Sequence, residues 1–395
     1  MLKGRVPQGL PLSPKNESAP RPAMFFSRPR DPAQRRLPLF GSAKAPPCVG
    51  GWLEREGVCM GTAIVLKWWS ALPSRTAHDI AQADAAWALT MAEMRRIDEL
   101  LSPHKATSEL SRINREAGSH AVALSEEVCG LLAQALAFSA ATDGAFDISY
   151  AAAGQHYDYR AGIAPDMVTL RRARESIGWR ELHLDPVRGT LRFGRPGMRI
   201  DLGGFAKGHA VDCAAAALQR HGVQHAWLSA GGDSRVIGDR RGRPWSVAVR
   251  DPRVEGAAAT AATAEPIAVL PLVDCAVSTS GDYERAFVKD GVRHHHLLDP
   301  ATGSAAIGAR SVTTIADASV HAGLATEAWS KALFVLGPQR GMPLLAHNAP
   351  GLDAVLVDAG GRLHYSRGLA QALRPAVALP ESSSPLVSRP AAAVA

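Results

Sequence analysis

Apolar positions recur along this chain with two periods that alternate irregularly. Between Thr76 and Leu101, the residues Ile80, Ala83, Trp87, Met91, Met94, Ile97 and Leu101 fall at helical spacing. That spacing predicts a long amphipathic helix whose Met and Trp stripe packs into a core. Ser102-Pro103 ends it, because proline cannot continue the hydrogen-bond ladder. Ser125 followed by Glu126 and Glu127 reads as a second helix start, an N-cap hydroxyl with acids at the positive end of the dipole. Asp143-Gly144 closes that helix. A central helix is expected to run to about Arg220, short ones near 108–114 and 170–177, and a last one over Ala318–Leu336, stopped by Gly337-Pro338.

Between the helices, β-branched and aromatic runs predict strands. They lie at Ala63–Trp68, Glu181–Asp185, Thr190–Phe193, Ala226–Ala230, Trp245–Pro252, Ile267–Leu272 and Ala276–Thr279. Others are Tyr283–Lys289, Val292–Leu298, Ser311–Ile315, Ala354–Val357 and Leu363–Tyr365. Asp290-Gly291 is a type I′ hairpin signal. Frequent hairpins and irregular alternation argue for an α+β fold with largely antiparallel sheet, not a doubly wound parallel one. No repeat period is visible.

Composition changes the picture mainly at the ends. Residues 1–50 hold ten prolines, and nine Lys or Arg against Glu17 and Asp31, which accounts for the whole formal excess of +7. The body is therefore neutral, and with no interleaving of aromatic and basic residues it does not read as a nucleic-acid binder. Residues 1–55 are expected to be a disordered tail, 56–370 one catalytic domain, and 371–395 a second Pro, Ser and Ala-rich tail. Residues 253–265 read as a surface excursion. No apolar run is long enough for an integral membrane segment, and no secretory leader is evident, so a cytoplasmic location is expected. Five scattered cysteines without a C-x-x-C pair indicate thiols, not a zinc knuckle or disulfide framework.

The chemistry centres on Asp201-Leu202-Gly203-Gly204-Phe205-Ala206-Lys207-Gly208. A carboxylate, a flexible diglycine, a lysine and a helix start would suit a phosphate or pyrophosphate. The segment is neither a Walker loop nor a G-x-G-x-x-G turn. The plain alternative is a glycine turn with Lys207 in solvent, and spacing does not separate the two. Thr279-Ser280-Gly281 offers hydroxyls and free backbone to a phosphate or flavin edge, or only local turn bonds. His294 and His296 share a strand face away from His295, a weak metal pattern. Glu327 and Lys331, four apart on a helix, are either a surface ion pair or an inward-facing group.

Taken in order, these stretches resemble the FAD:protein FMN transferase family, the ApbE-like flavin transferases. The resemblance is carried by Met60-Gly61-Thr62, Ser108–Asn114, Gly144-Ala145-Phe146-Asp147, Asp201-Leu202-Gly203-Gly204 with Lys207-Gly208, and Gly231-Gly232-Asp233. It continues through Thr279–Tyr283, His295-His296-Leu297 with Asp299-Pro300 and Gly303, and Ala332–Gly337. It implies a T-fold-like domain that binds FAD, uses Mg²⁺ at the pyrophosphate, and moves FMN to a Thr or Ser hydroxyl of an acceptor protein with release of AMP. The implied FAD contacts are Met60, Ala145, Phe146, Asp147, Asp201, Lys207 and Leu297, with Thr279, Ser280 and Gly281 beside them. His296 falls on the active-site histidine, and Asp201 and Lys207 join it as catalytic candidates.

Three departures from the family pattern stand out. The aromatic residue expected against the flavin is His104. On the metal-binding helix, the family's Asp is Glu327 and its Thr is Lys331. An ammonium cannot be a metal ligand, which leaves Glu327, Ser330 and the backbone at Gly204 as the expected metal set. The leader common among relatives is not evident. Besides transfer, an FAD pyrophosphatase releasing FMN and AMP to water, or a non-catalytic FAD carrier, would fit the same residues.

Overall fold

A two-residue turn at Met60-Gly61 joins strand β1 (Gly51–Cys59) to β2 (Thr62–Ser70), and the two pair over their whole length. The structure, a computed structural model, describes residues 50–71, 77–253 and 266–370, together with two short strands at 374–375 and 389–390. The excursion from 254 to 265, most of both tails and the side chains of Ile80 and Ala83 lie outside the described residues. Strand β1 begins at Gly51, inside the stretch expected to be tail. Its charged Glu54, Arg55 and Glu56 obscure the alternation, while Trp52 packs edge-on against Trp69 and Trp245, with ring centroids 5.5 and 5.0 Å away.

Helix α1 (Ala77–Leu101) follows, then α2 (Glu109–Glu116), the short β3 (Val122–Ala123) and α3 (Glu126–Ala141). The Ser125 cap reading holds, its Oγ accepting from the Val128 N–H at 3.3 Å, and Ser108 Oγ likewise accepts from the Ser111 N–H at 3.0 Å. Helices α4 (Ala151–Gly154) and α5 (Met167–Glu175) precede β4 (Leu182–Asp185) and β5 (Thr190–Phe193), which pair with each other while β3 pairs with β5.

Helix α6 (Ala206–Arg220) leads into β6 (Ala226–Ala230), β7 (Asp233–Ile237), β8 (Trp245–Val249), β9 (Ala268–Leu272) and β10 (Cys275–Gly281). The Asp290-Gly291 turn closes a hairpin of β11 (Ala286–Lys289) and β12 (Val292–His295), as its dipeptide predicts. Strand β13 (Ala309–Asp317), helix α7 (Ala322–Asn348), and strands β14 (Leu352–Asp358), β15 (Arg362–Tyr365), β16 (Arg374–Pro375) and β17 (Arg389–Pro390) complete the chain. The main sheet runs β1-β2-β6-β7-β10-β13-β14-β15-β17, antiparallel at each junction. The α+β, largely antiparallel architecture is thus the one its pattern predicts.

Two elements depart from that pattern. Helix α7 does not end at Leu336; the chain breaks at Gly337 (φ 67°, ψ 179°) and turns helical again from Pro338. Glycine takes the left-handed φ without strain, and proline is suited to the first position of a new helix. Strand β7 escapes a hydrophobicity pattern because Asp233, Ser234 and Arg235 have loop character, yet all three are buried.

The polar residues of β7 hold helices α6 and α7 against the sheet. Arg235 pairs with buried Asp212 of α6 and donates to the Ser319 carbonyl at 2.9 Å. Asp212 in turn accepts the Gly323 and Leu324 N–H groups at 2.9 and 3.0 Å, so α6 caps the start of α7. The helices approach closely at Gly208 and Gly323: a Cβ on Gly323 would lie 2.6 Å from the Gly208 carbonyl, and one on Gly208 would overlap the Gly323 carbonyl. Around this crossing the large core gathers Ile64, Leu66, Met94, Phe205, Val211, Trp329 and Phe334. A smaller cluster with Trp245, Leu270 and Val355 covers the other face of the sheet.

Gly208→Ala therefore places a methyl against backbone that cannot yield. Overpacking of this kind costs about 1–3 kcal/mol. The thermal midpoint of the variant should fall by several degrees in calorimetry, and an unchanged midpoint contradicts the close crossing.

Candidate active site

A cleft of about 550 Å³, counting its open mouth, lies beside the start of α6. Ala145, Phe146, Leu297, Leu298, Pro300 and Val335 give it apolar walls. Asp201, Tyr150, His296 and Lys331 bring polar groups into the same space. That mixture of apolar walls and few convergent polar groups is the usual make-up of a small-molecule site.

Each polar group is held from behind. Asp201 Oδ1 accepts the Gly203 N–H at 2.8 Å and Oδ2 accepts the Tyr150 hydroxyl at 3.2 Å. Burial, with the Asp201 charge adding to it, pushes the Tyr150 phenol well above its ordinary value, so it stays a protonated donor. Asp147 lines the cleft but spends both oxygens on structure, accepting from Ser149 N–H and Oγ (2.8 and 2.7 Å) and from the Trp179 N–H (2.9 Å). Burial nevertheless raises its carboxyl above the usual range.

His296 follows directly on β12, its N–H donating to the Arg285 carbonyl at 3.2 Å. Its Nδ1 is buried without a hydrogen-bond partner. Burial, then the charges of Lys331 and Arg285, bring its imidazole down to about 3. It is therefore neutral at physiological pH, the form that can accept a proton.

Beneath the cleft floor lies a buried charge cluster. Glu327 of α7 is fully buried. Its Oε1 meets the ammonium of Lys207 and, at 3.1 Å, that of Lys331. Its Oε2 accepts the Gly208 N–H at 2.7 Å. Lys207 also reaches Asp233 Oδ2 at 2.9 Å. Burial works to lower the Lys207 ammonium, but Asp233 and Glu327 outweigh it and hold it above the ordinary lysine range. Burial would raise Asp233, yet Lys207, Lys331 and the Ser278 hydroxyl hold it below the usual carboxylate range. Paired in this way, the charges avoid the heavy penalty of isolated buried ions.

The central loop is thus neither reading made from its spacing. Lys207 is half-buried and paired, but it does not line the cleft, and the Gly208 N–H is already taken by Glu327. The cation that lines the cleft is Lys331.

The expected metal set does not assemble. Gly204 lines the cleft, but Glu327 lies under two ammonium groups, and Ser330 Oγ turns toward the sheet. Ser330 lies 2.7 Å from Ser280 Oγ and 3.3 Å from Ser278 Oγ, and donates to the Glu327 carbonyl at 2.8 Å. Mg²⁺ needs several oxygen ligands in near-octahedral array. The oxygens of Glu327 are engaged by three donors, so this arrangement does not fit the ion.

Of the other expected contacts, Ala145, Phe146, Asp147, Asp201 and Leu297 meet in the cleft. Thr279 faces the opposite side of the sheet from Ser278 and Ser280, bonded to Thr313 Oγ1 at 2.9 Å, because strand side chains alternate. Ser280 is spent on Ser330, and Gly281 packs against the Tyr283 ring. Met60 sits in the β1–β2 turn on the edge of the core, and His104 is exposed; neither lines the cleft. His294 stacks on Phe287 at 5.1 Å and, unlike His296, does not line the cleft. Tyr150 carries one sequence signal, its position three residues after Asp147, too little to mark it among other tyrosines.

Among the described residues, one group of potential ligands lies elsewhere: Glu127, His209 and Cys213. His209 Nε2 is 2.7 Å from Glu127 Oε1 and 3.5 Å from Cys213 Sγ. Arg96 holds both Glu127 oxygens at 2.5 and 3.1 Å, and burial pushes the Cys213 thiol up to about 12. The group is a guanidinium-centred ion-pair network that ties α1, α3 and α6 together.

A neutral imidazole, an anchored carboxylate–phenol pair and an ammonium thus line one cleft of an α+β protein. The ApbE family model matches residues 60–356, and the chain belongs to the ApbE family. It is 30% identical over 338 residues to a FAD:protein FMN transferase of Treponema pallidum, covering 81% of this chain and 88% of that protein. It is 31% identical to one of Vibrio cholerae over 69% of this chain and 80% of the relative. The crystal structure of an ApbE protein from Thermotoga maritima superposes with a TM-score of 0.69 at 30% identity, over 82% of this chain and all of the other.

The FAD-free protein should show no His296 imidazole titration by NMR between pH 8 and pH 5. An inflection near 6.5, the ordinary histidine value, contradicts the burial and the Lys331 charge that keep it neutral.

Proposed function

We propose that this chain is an FAD:protein FMN transferase whose chemistry runs in the Asp201–His296–Lys331 cleft. The observation that carries this reading is the buried, unpartnered Nδ1 of a neutral His296 beside the Lys331 ammonium. The family relationship supplies the reaction. The hydroxyl of an acceptor Thr or Ser attacks the FMN-side phosphorus of FAD. A new O–P bond forms, the P–O–P anhydride breaks, and AMP leaves with the bridging oxygen. The hydroxyl proton passes to His296.

Residues of this chain divide the work between positioning and charge, which dominate phosphoryl-type transfer. The ammonium of Lys331 faces the diphosphate. The diphosphate charge offsets Lys331 and so raises the proton affinity of His296 when it is needed. Asp201, as an acceptor aligned by Tyr150 and the Gly203 N–H, suits hydrogen-bond donors of the flavin moiety and repels misplaced phosphate. Phe146, Leu297 and Val335 cover apolar ring surface. Lys207 and Asp233 act from behind, by fixing Glu327.

The test is an incubation of protein, FAD and an acceptor protein carrying a flavinylatable Thr, with AMP release and in-gel flavin fluorescence as readouts. AMP together with a fluorescent acceptor is the expected result. AMP and free FMN without labelling would make the enzyme a pyrophosphatase, and bound FAD without AMP a carrier. His296→Ala should lower transfer by about 10²–10⁴-fold, the range for a lost general base. Its FAD affinity, read by flavin fluorescence, should stay nearly constant; an active variant removes His296 from the chemistry.

A further inference from the structure

We infer that Lys331 is a built-in cation for the diphosphate, so that this chain binds FAD without a divalent metal. The inference rests on FAD as the ligand. Glu327 is the fully buried carboxylate on the expected metal helix, and its oxygens already meet Lys207, Lys331 and the Gly208 N–H. A metal there would have to displace two ammonium groups. Lys207 cannot turn outward without leaving buried Asp233 short of its ion pair and Glu327 with Lys331 alone. Lys331 has one carboxylate partner, on the preceding turn of its own helix, and its side chain reaches the cleft wall.

Charge counting points the same way. Asp233 and Glu327 against Lys207 and Lys331 sum to zero, and the hydroxyls of Ser278, Ser280 and Ser330 are bonded among themselves, to Asp233 and to the Glu327 carbonyl. A neutral residue at 331 would leave the cluster one unit negative beside the cleft, the condition under which carboxylates recruit a cation. With Lys331 present that charge is already met, and the ammonium is held where a diphosphate oxygen can accept from it. Charge-assisted hydrogen bonds of this kind are the strong ones.

FAD titrations of the full chain, followed by flavin fluorescence in EDTA and again in millimolar MgCl₂, test this directly. The wild-type dissociation constant should agree between the two within about twofold, whereas loss of one charge-assisted contact in Lys331→Met should weaken binding about tenfold or more in both. Lys331→Arg keeps the charge and should bind in EDTA, which separates loss of charge from loss of folding. Lys331→Thr should bind weakly in EDTA and recover with Mg²⁺. Wild-type binding that requires Mg²⁺, or wild-type affinity in Lys331→Met, overturns the inference while leaving the flavin reading intact. A wild-type chain that binds no FAD in either buffer overturns both.

Discussion

The structure depends on one buried carboxylate. Glu327 has no solvent exposure and sits where α6, α7 and the sheet meet. A charge in that place must be paired and hydrogen-bonded, and the surrounding features meet that demand. The α6 backbone comes close enough for the Gly208 N–H to donate, which requires the two helices to cross at glycines. Lys207 swings inward and Asp233 then balances it from β7. Arg235 and Asp212, on the same strand and helix, fix the crossing a turn away.

That constraint reaches the cleft through Lys331. Four residues along α7 from Glu327, it connects the cluster below to the open space above. One ammonium thus acts on three groups: it neutralises Glu327, helps hold Asp233 ionised, and depresses the His296 imidazole. Binding an anion beside it alters the last effect most directly. In the proposed reaction the imidazole would thus be neutral in the empty cleft and a stronger base beside the diphosphate, without moving an element.

Much of the fold was legible because burial imposed a period. The helical stripe from Trp87 to Leu101, the cap at Ser125 and the Asp290-Gly291 turn are local signals that tertiary contacts reinforce. The misses fall where function or shape put polar groups inside. Asp233-Ser234-Arg235 form a buried strand that a hydrophobicity pattern reads as loop. Trp52 pairs across strands with partners distant in sequence, so β1 looked like tail. At the site, Asp201, His296 and the 145–147 segment converge as their order suggested. Lys207 pairs with Asp233 and Glu327 while Lys331 lines the cleft, since spacing shows that a lysine is near a loop but not which carboxylates it must satisfy. Thr279 and Ser330 were lost to side-chain direction, which no motif carries.

The central claim is that an ammonium, not a metal ion, stands beside Glu327 when FAD is bound. A crystal structure of the FAD complex grown with Mn²⁺, read by anomalous scattering, tests it most directly. The expected map shows the Lys331 Nζ within hydrogen-bond distance of a diphosphate oxygen and no anomalous peak at Glu327. A Mn²⁺ peak ligated by Glu327, with Lys331 turned away, would contradict it.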